Sequence, residues 1–176
     1  MTGAGLTGAE IILGLVTAQR AAELVVSHRN TSRLMARGAL EVARGHYPFM
    51  VAVHAFWLIV LWIFGRDQPV HMPALTVYLA LQAIRFWVIR TLGERWTTRI
   101  IVLPGAPLVS AGPYRFLAHP NYAVVAAEIA TLPMVVGLPG VAAVFTVLNA
   151  IVLLIRIRAE NRALEPTRPL ATRSAP

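Results

Sequence analysis

Met134-Val135-Val136-Gly137-Leu138-Pro139-Gly140-Val141-Ala142-Ala143-Val144-Phe145 decides the fold. Apolar sequence extends from it back to about Asn121 and on to about Ile155, and Gly137-Leu138-Pro139-Gly140 alone separates the two runs. Runs of that kind joined by so short a breaker predict a tight antiparallel helical hairpin. The whole 176-residue chain is 57% hydrophobic and only 14% charged, which is too apolar for an ordinary soluble domain. The hairpin therefore reads as the last two spans of a polytopic membrane protein.

Three further spans precede it, at about Leu6 to Val26, Tyr47 to Gly65 and Pro73 to Thr91. All sixteen basic residues are Arg, and apart from Arg20 and Arg85 they fall at the ends of the apolar runs or between them. Arg29, Arg33, Arg37 and Arg44 occupy a predicted polar loop from Ser27 to His46, while the third span ends into Arg90, Arg95, Arg99 and Arg115. Five more lie from Arg156 onward, and the turn from Arg66 to Met72 holds one. By the positive-inside rule the N-terminus lies outside and the C-terminus inside. The expected fold is all-α, with about five transmembrane helices in one domain over residues 1–165 and a disordered tail over 166–176. Before the fourth span, Arg99 to Leu103 and Leu108 to Ser110 flank Pro104-Gly105-Ala106-Pro107, which predicts a short cytoplasmic hairpin or loop. The +8 net charge belongs to loops at a membrane face, so no nucleic-acid partner is expected. With no Cys there is no thiolate chemistry, and no metal site is expected.

The most site-like stretch is Gly112-Pro113-Tyr114-Arg115-Phe116-Leu117-Ala118-His119-Pro120-Asn121-Tyr122. Gly-Pro sets a turn, and Pro120 is placed to open the next helix. An imidazole, an amide, two phenols and a guanidinium are thus gathered at a helix N-terminus, which favours anionic groups. A re-entry loop whose polar groups face lipid headgroups has the same composition. Depth adds a second observation. Arg85 lies about 7 Å and Glu128 about 10 Å from the inner face, close enough to meet, and Arg20, Glu23, His54 and Asn149 fall at similar depths. This layer predicts a cytoplasm-facing cavity, or else buried ion pairs that set helix register. For Arg20 and Glu23, three residues apart on one helix, the ion pair is expected. His54 is expected to be a satisfied interhelical hydrogen-bonding residue.

Gly93-Glu94-Arg95-Trp96-Thr97-Thr98-Arg99, then Gly112-Pro113-Tyr114-Arg115 running into His119-Pro120-Asn121-Tyr122, then Arg156-Ile157-Arg158-Ala159-Glu160-Asn161-Arg162 together resemble the isoprenylcysteine carboxyl methyltransferase family. The resemblance covers roughly Leu81 to Glu165. It implies a helical membrane methyltransferase that takes S-adenosylmethionine from the cytosol in a pocket made by the last hairpin and its flanks. The family's Arg-His-Pro-x-Tyr-x-Gly pattern falls on Ala118 to Val124, so its Arg and Gly are replaced, and its Glu-Glu pair falls on Glu160 and Asn161. His119, Pro120, Tyr122 and Glu160 carry over as the cofactor set. Tyr114, Asn121 and Arg158 lie in the same matched segments and join it. The departures, with Arg29-Asn30, Glu41 and His46-Tyr47-Pro48, are more similar to a bacterial branch that methylates long-chain phenols or pyrones.

A prenylcysteine carboxylate is ionised at neutral pH, whereas a phenol, with a pKa of about 10, benefits from a base. Glu128 is the candidate base, and Arg85 or Arg99 the candidate holder of a carboxylate. The expected acceptor is lipid-like and enters from the bilayer of the bacterial cytoplasmic membrane. A small transporter or channel is the alternative, because a polar layer inside a bundle also describes a permeation path.

Overall fold

The computed structural model describes residues 5–164, which form five α-helices. Helix α1 spans Gly8–Ala36, α2 Tyr47–Gly65, α3 Met72–Leu92, α4 Pro120–Val135 and α5 Pro139–Leu164. Tyr47–Gly65, Met72–Arg95 and Pro139–Leu164 are long and apolar enough to cross a membrane. Helix α1 is longer but carries Glu10, Arg20 and Glu23, and α4 has 16 residues. The expected disordered tail lies outside the described residues.

Helix α1 starts at a capping box. Thr7 Oγ1 accepts from the Glu10 amide at 3.1 Å, and the Glu10 carboxylate accepts from the Thr7 amide at 2.9 Å. Glu10 therefore satisfies backbone groups rather than lining a passage at this end of the bundle. The bundle core is packed with apolar side chains, among them Leu13, Trp57, Leu61, Leu132 and Val135. At the other end α1 corrects the expected loop from Ser27 to His46, continuing through Ala36. Nothing between Val26 and Gly38 breaks a helix, and Arg33 and Arg37 both reach Glu94 on the surface.

The expected local hairpin around Pro104 is also corrected. Ile100–Val102 forms strand β2, but it pairs antiparallel with β1, Leu40–Val42, in register Leu40 to Val102 and Val42 to Ile100. Arg99 binds Glu41 across this ribbon at 3.0 Å and lies 4.7 Å over the Tyr47 ring, contacts a local hairpin would not supply. Leu108 to Ser110 forms no strand. Helix α5 runs about two and a half turns beyond the expected end at Ile155, which carries Arg156, Glu160 and Asn161 over the same end of the bundle.

Candidate active site

The C-terminal ends of α3 and α5 and the N-terminal end of α4, together with β2 and the chain from Leu103 to Ser110, line a cavity of about 400 Å³. That volume falls in the range of small-molecule sites. Its polar wall begins at Gly112, whose φ of 57° and close approach to Thr91 leave no room for a Cβ. The chain then makes a 3-10 turn over Gly112–Arg115 and enters α4 at Pro120, where the missing N–H costs no helical bond. His119 sits at the N-cap without using its side chain as a cap, so the imidazole is available to the cavity.

Three side chains form a relay along the wall. Arg156 donates from Nε to the Tyr122 hydroxyl at 2.7 Å, and that hydroxyl donates to the Glu160 carboxylate. The Arg156 guanidinium also lies over the Tyr122 ring and donates to the Thr98 carbonyl at 2.6 Å. The His119 ring stacks on Tyr122, centroids 5.2 Å apart, and its Nε2 donates to Asn161 Oδ1 at 3.2 Å. Asn121 and Trp96 also line the cavity, with Asn121 Oδ1 and Trp96 Nε1 buried behind its surface and without a partner among the described residues. Tyr114 also lines the cavity, and its burial, reinforced by the Glu160 charge, pushes its hydroxyl above the ordinary tyrosine range. It remains a protonated donor.

Of the residues expected from sequence, Arg99, Tyr114, His119, Asn121, Tyr122 and Glu160 line the cavity. Pro120 is buried behind it as the first residue of α4. Arg158 is exposed and points elsewhere, whereas Arg156, four residues before Glu160, is buried and faces the site. Helical phase explains the difference, since positions four apart share a face and positions two apart do not. That signal was available in the sequence. Thr98 and Asn161, also unexpected, offered none beyond proximity to the motifs.

Arg85 and Glu128 do meet, but not on the cavity wall. Glu128, with no exposed surface, accepts from Gln82 at 2.7 Å, Arg20 at 2.8 Å and Arg85 at 3.0 Å. Glu23 accepts a bidentate pair from Arg85, both contacts at 2.6 Å, and one from Arg20 at 3.0 Å. Two guanidiniums and two carboxylates thus close a neutral cluster that ties α1 to α3 and α4. The Arg20 and Glu23 pair expected within one helix is one edge of it. His54 departs from the expected interhelical bond: its Nδ1 lies 2.8 Å from the Met50 carbonyl on its own helix.

Residues 74–166 match the isoprenylcysteine carboxyl methyltransferase family, a stretch that holds every part of the cavity wall described except the contacts from α1, α2 and β1. An uncharacterized protein of Bacillus subtilis, YpbQ, is 36% identical over 88% of this chain and 95% of its own length. An uncharacterized protein of Haemophilus influenzae is 24% identical over 88% of this chain and 93% of its own. No solved structure matches. On the extent of the family match and the identity to the Bacillus relative, this chain belongs to the isoprenylcysteine carboxyl methyltransferase family.

Proposed function

We propose that the protein is an integral membrane O-methyltransferase that uses S-adenosylmethionine and methylates a lipid-like acceptor. The cavity faces the cytoplasm in this reading, because the Arg-rich segments lie at its end of the bundle. The observation that carries the proposal is the gathering of His119, Tyr122 and Glu160 on one wall of a cavity of suitable size, in a chain of this family.

The donor set suits the cofactor. Glu160 has one oxygen occupied by Tyr122 and presents the other to an ammonium or ribose hydroxyl. The His119 ring and the first turn of α4 suit a carboxylate, and Tyr114 and Trp96 supply flat apolar surface with polar edges. When bound, S-adenosylmethionine supplies an electrophilic methyl group on a sulfonium. The chain's part is to hold donor and acceptor in line and exclude water, which the relay from Arg156 through Tyr122 to Glu160 does by fixing side chains from α4 and α5 in one arrangement. The acceptor enters from the bilayer, past the exposed apolar faces of the spanning helices.

Calorimetric titration of the purified protein with S-adenosylmethionine tests this directly. Saturable one-to-one binding that is lost in Glu160→Ala and His119→Ala is expected, and absence of binding to the wild type rejects the reading.

A further inference from the structure

The turn that leads into α4 has two faces, and the cavity uses only one. Tyr114, Ala118 and His119 line the cavity, while Arg115, Phe116 and Leu117 between them are exposed. Phe116 keeps 75% of its surface and Leu117 54%, the first being the largest value for any large apolar side chain among the described residues. The turn is fixed in shape, because the Phe116 and Leu117 amides both donate to the Pro113 carbonyl, at 3.1 and 3.2 Å. Two adjacent large apolar side chains held rigidly in water are unfavourable, and the bundle covers neither.

The turn sits at the edge of the lipid-facing surface. A Cβ at Gly112 would lie 2.6 Å from Thr91 Oγ1 and 3.3 Å from Trp87 Nε1, so the start of the turn is pressed against the last turns of α3. The contact of Arg85 with Glu128 sets a common level for α3 and α4. Thr91 lies about 9 Å and Pro120 about 12 Å from that level, toward the same end of the bundle. Phe86 and Trp87, exposed on α3, continue its apolar surface to that end, and Arg90 is exposed beside them. An exposed tryptophan and arginine at the end of a spanning helix mark the membrane–water interface. Phe116 and Leu117 thus extend the apolar belt of α3 at headgroup level. The Arg115 guanidinium lies 6.0 Å from the Phe116 ring centroid, and no carboxylate among the described residues pairs with Arg115 or Arg90. Cations without counter-ions beside an apolar tip complement an anionic phospholipid, whose phosphate lies outward and acyl chains inward.

We propose that Arg115-Phe116-Leu117 is a membrane anchor: Phe116 and Leu117 lie among the acyl chains of the adjoining leaflet, and Arg115 binds the phosphate of an anionic phospholipid. The same turn then holds Tyr114 and His119, on its other face, as a cavity wall set at the lipid surface. The site and headgroup readings of this stretch describe opposite faces of one turn. The anchor depends on the membrane-spanning fold and is independent of the reaction carried out in the cavity.

The chain has no Cys, so one introduced thiol takes a single nitroxide spin label. Phe116→Cys, Leu117→Cys and, as a lipid-facing reference, Ile151→Cys on an exposed position of α5 are labelled in the full-length protein and reconstituted in vesicles of phosphatidylcholine and phosphatidylglycerol. Collision with molecular oxygen, which concentrates in the acyl region, is compared with collision with a water-soluble nickel chelate. Oxygen is expected to dominate at 116 and 117, as at 151. Dominance of the nickel chelate at either position puts the turn in water and overturns the anchor. Shielding of either position from both reagents reveals a protein cover and overturns it as well. The phosphate contact is read from the motion of the label at Leu117, which is expected to slow about twofold when vesicles of pure phosphatidylcholine are replaced by the mixture. Arg115→Gln in the same labelled protein should abolish that slowing. Equal slowing in Arg115→Gln, or none with Arg115 present, overturns the assignment of Arg115 to the phospholipid phosphate.

Discussion

Ser27 and Thr98, 71 residues apart in sequence, are joined twice: their hydroxyl oxygens lie 2.8 Å apart, and the Thr98 amide donates to Ser27 Oγ at 2.8 Å. Thr98 also meets the Tyr47 hydroxyl at 3.2 Å and offers its carbonyl to Arg156. One residue beside the cavity thus collects α1, α2 and α5. Asn30, a turn further along α1, holds the Trp96 carbonyl at 2.9 Å. The first helix, which lies outside the family-matched segment, in this way fixes the backbone on which Trp96 and the Arg156 relay depend.

Ser27→Ala removes the partner of a Thr98 amide and leaves that donor unpaired at a site where Ser27 is 2% exposed. A loss of about 1 to 3 kcal/mol of stability is expected. If the bond positions Arg156, S-adenosylmethionine affinity falls with it, and Ser27→Thr, which keeps the hydroxyl, restores affinity. Calorimetry on the three proteins checks this, and an Ala variant with wild-type affinity removes the positioning role.

Arg156→Lys is expected to abolish detectable cofactor binding, because a lysine cannot reach Tyr122, Thr98 and Met50 at once with the planar fork that Arg156 uses. Arg158→Ala, on an exposed face of the same helix, should bind within twofold of wild type. The reverse order of effects would show that the helix is rotated from the arrangement described.

Much of this was legible beforehand. Pro120 opening α4 and Gly137-Leu138-Pro139-Gly140 closing it are local signals, carried by backbone chemistry that needs no tertiary context. The depth argument brought Arg85 to Glu128 for the same reason, since helical rise is nearly constant. The strand pairing was not legible. Ile100 to Val102 has the same β-forming character whichever partner it takes, and the choice of Leu40 to Val42 rests on how far α1 extends and on the Arg99 contacts with Glu41 and Tyr47. Nor could sequence separate Glu128 as a base from Glu128 as a member of a closed cluster. That depended on Arg20 and Gln82 reaching it from two other helices.

Glu128→Gln tests that distinction. The substitution leaves two guanidiniums sharing one carboxylate in a buried setting, so a loss of about 3 to 5 kcal/mol is expected, read as a lower midpoint of thermal unfolding in detergent. The fraction that stays folded should keep its cofactor affinity, because Glu128 is not on the cavity wall. An unchanged midpoint with methyl transfer abolished would return Glu128 to the role of base.

Tyr114 supplies a prediction about pH. Burial first, and the Glu160 charge second, disfavour its phenolate in the folded protein, so its folded pKa lies above the unfolded value of about 10. A raised acid of this kind contributes stability that is fully present below about pH 10, where both states are protonated, and that erodes at higher pH as the unfolded chain ionises. Tyr114→Phe cannot ionise in either state. It should therefore be less sensitive than wild type to unfolding between neutral and strongly alkaline pH, and its ultraviolet titration should lack one late-ionising phenol. Glu160→Gln removes the smaller cause and leaves burial in place, so it should lower the Tyr114 transition only part of the way. A full return to the ordinary range in that variant would make the carboxylate, and not the enclosed setting of the cavity, the dominant influence on this wall.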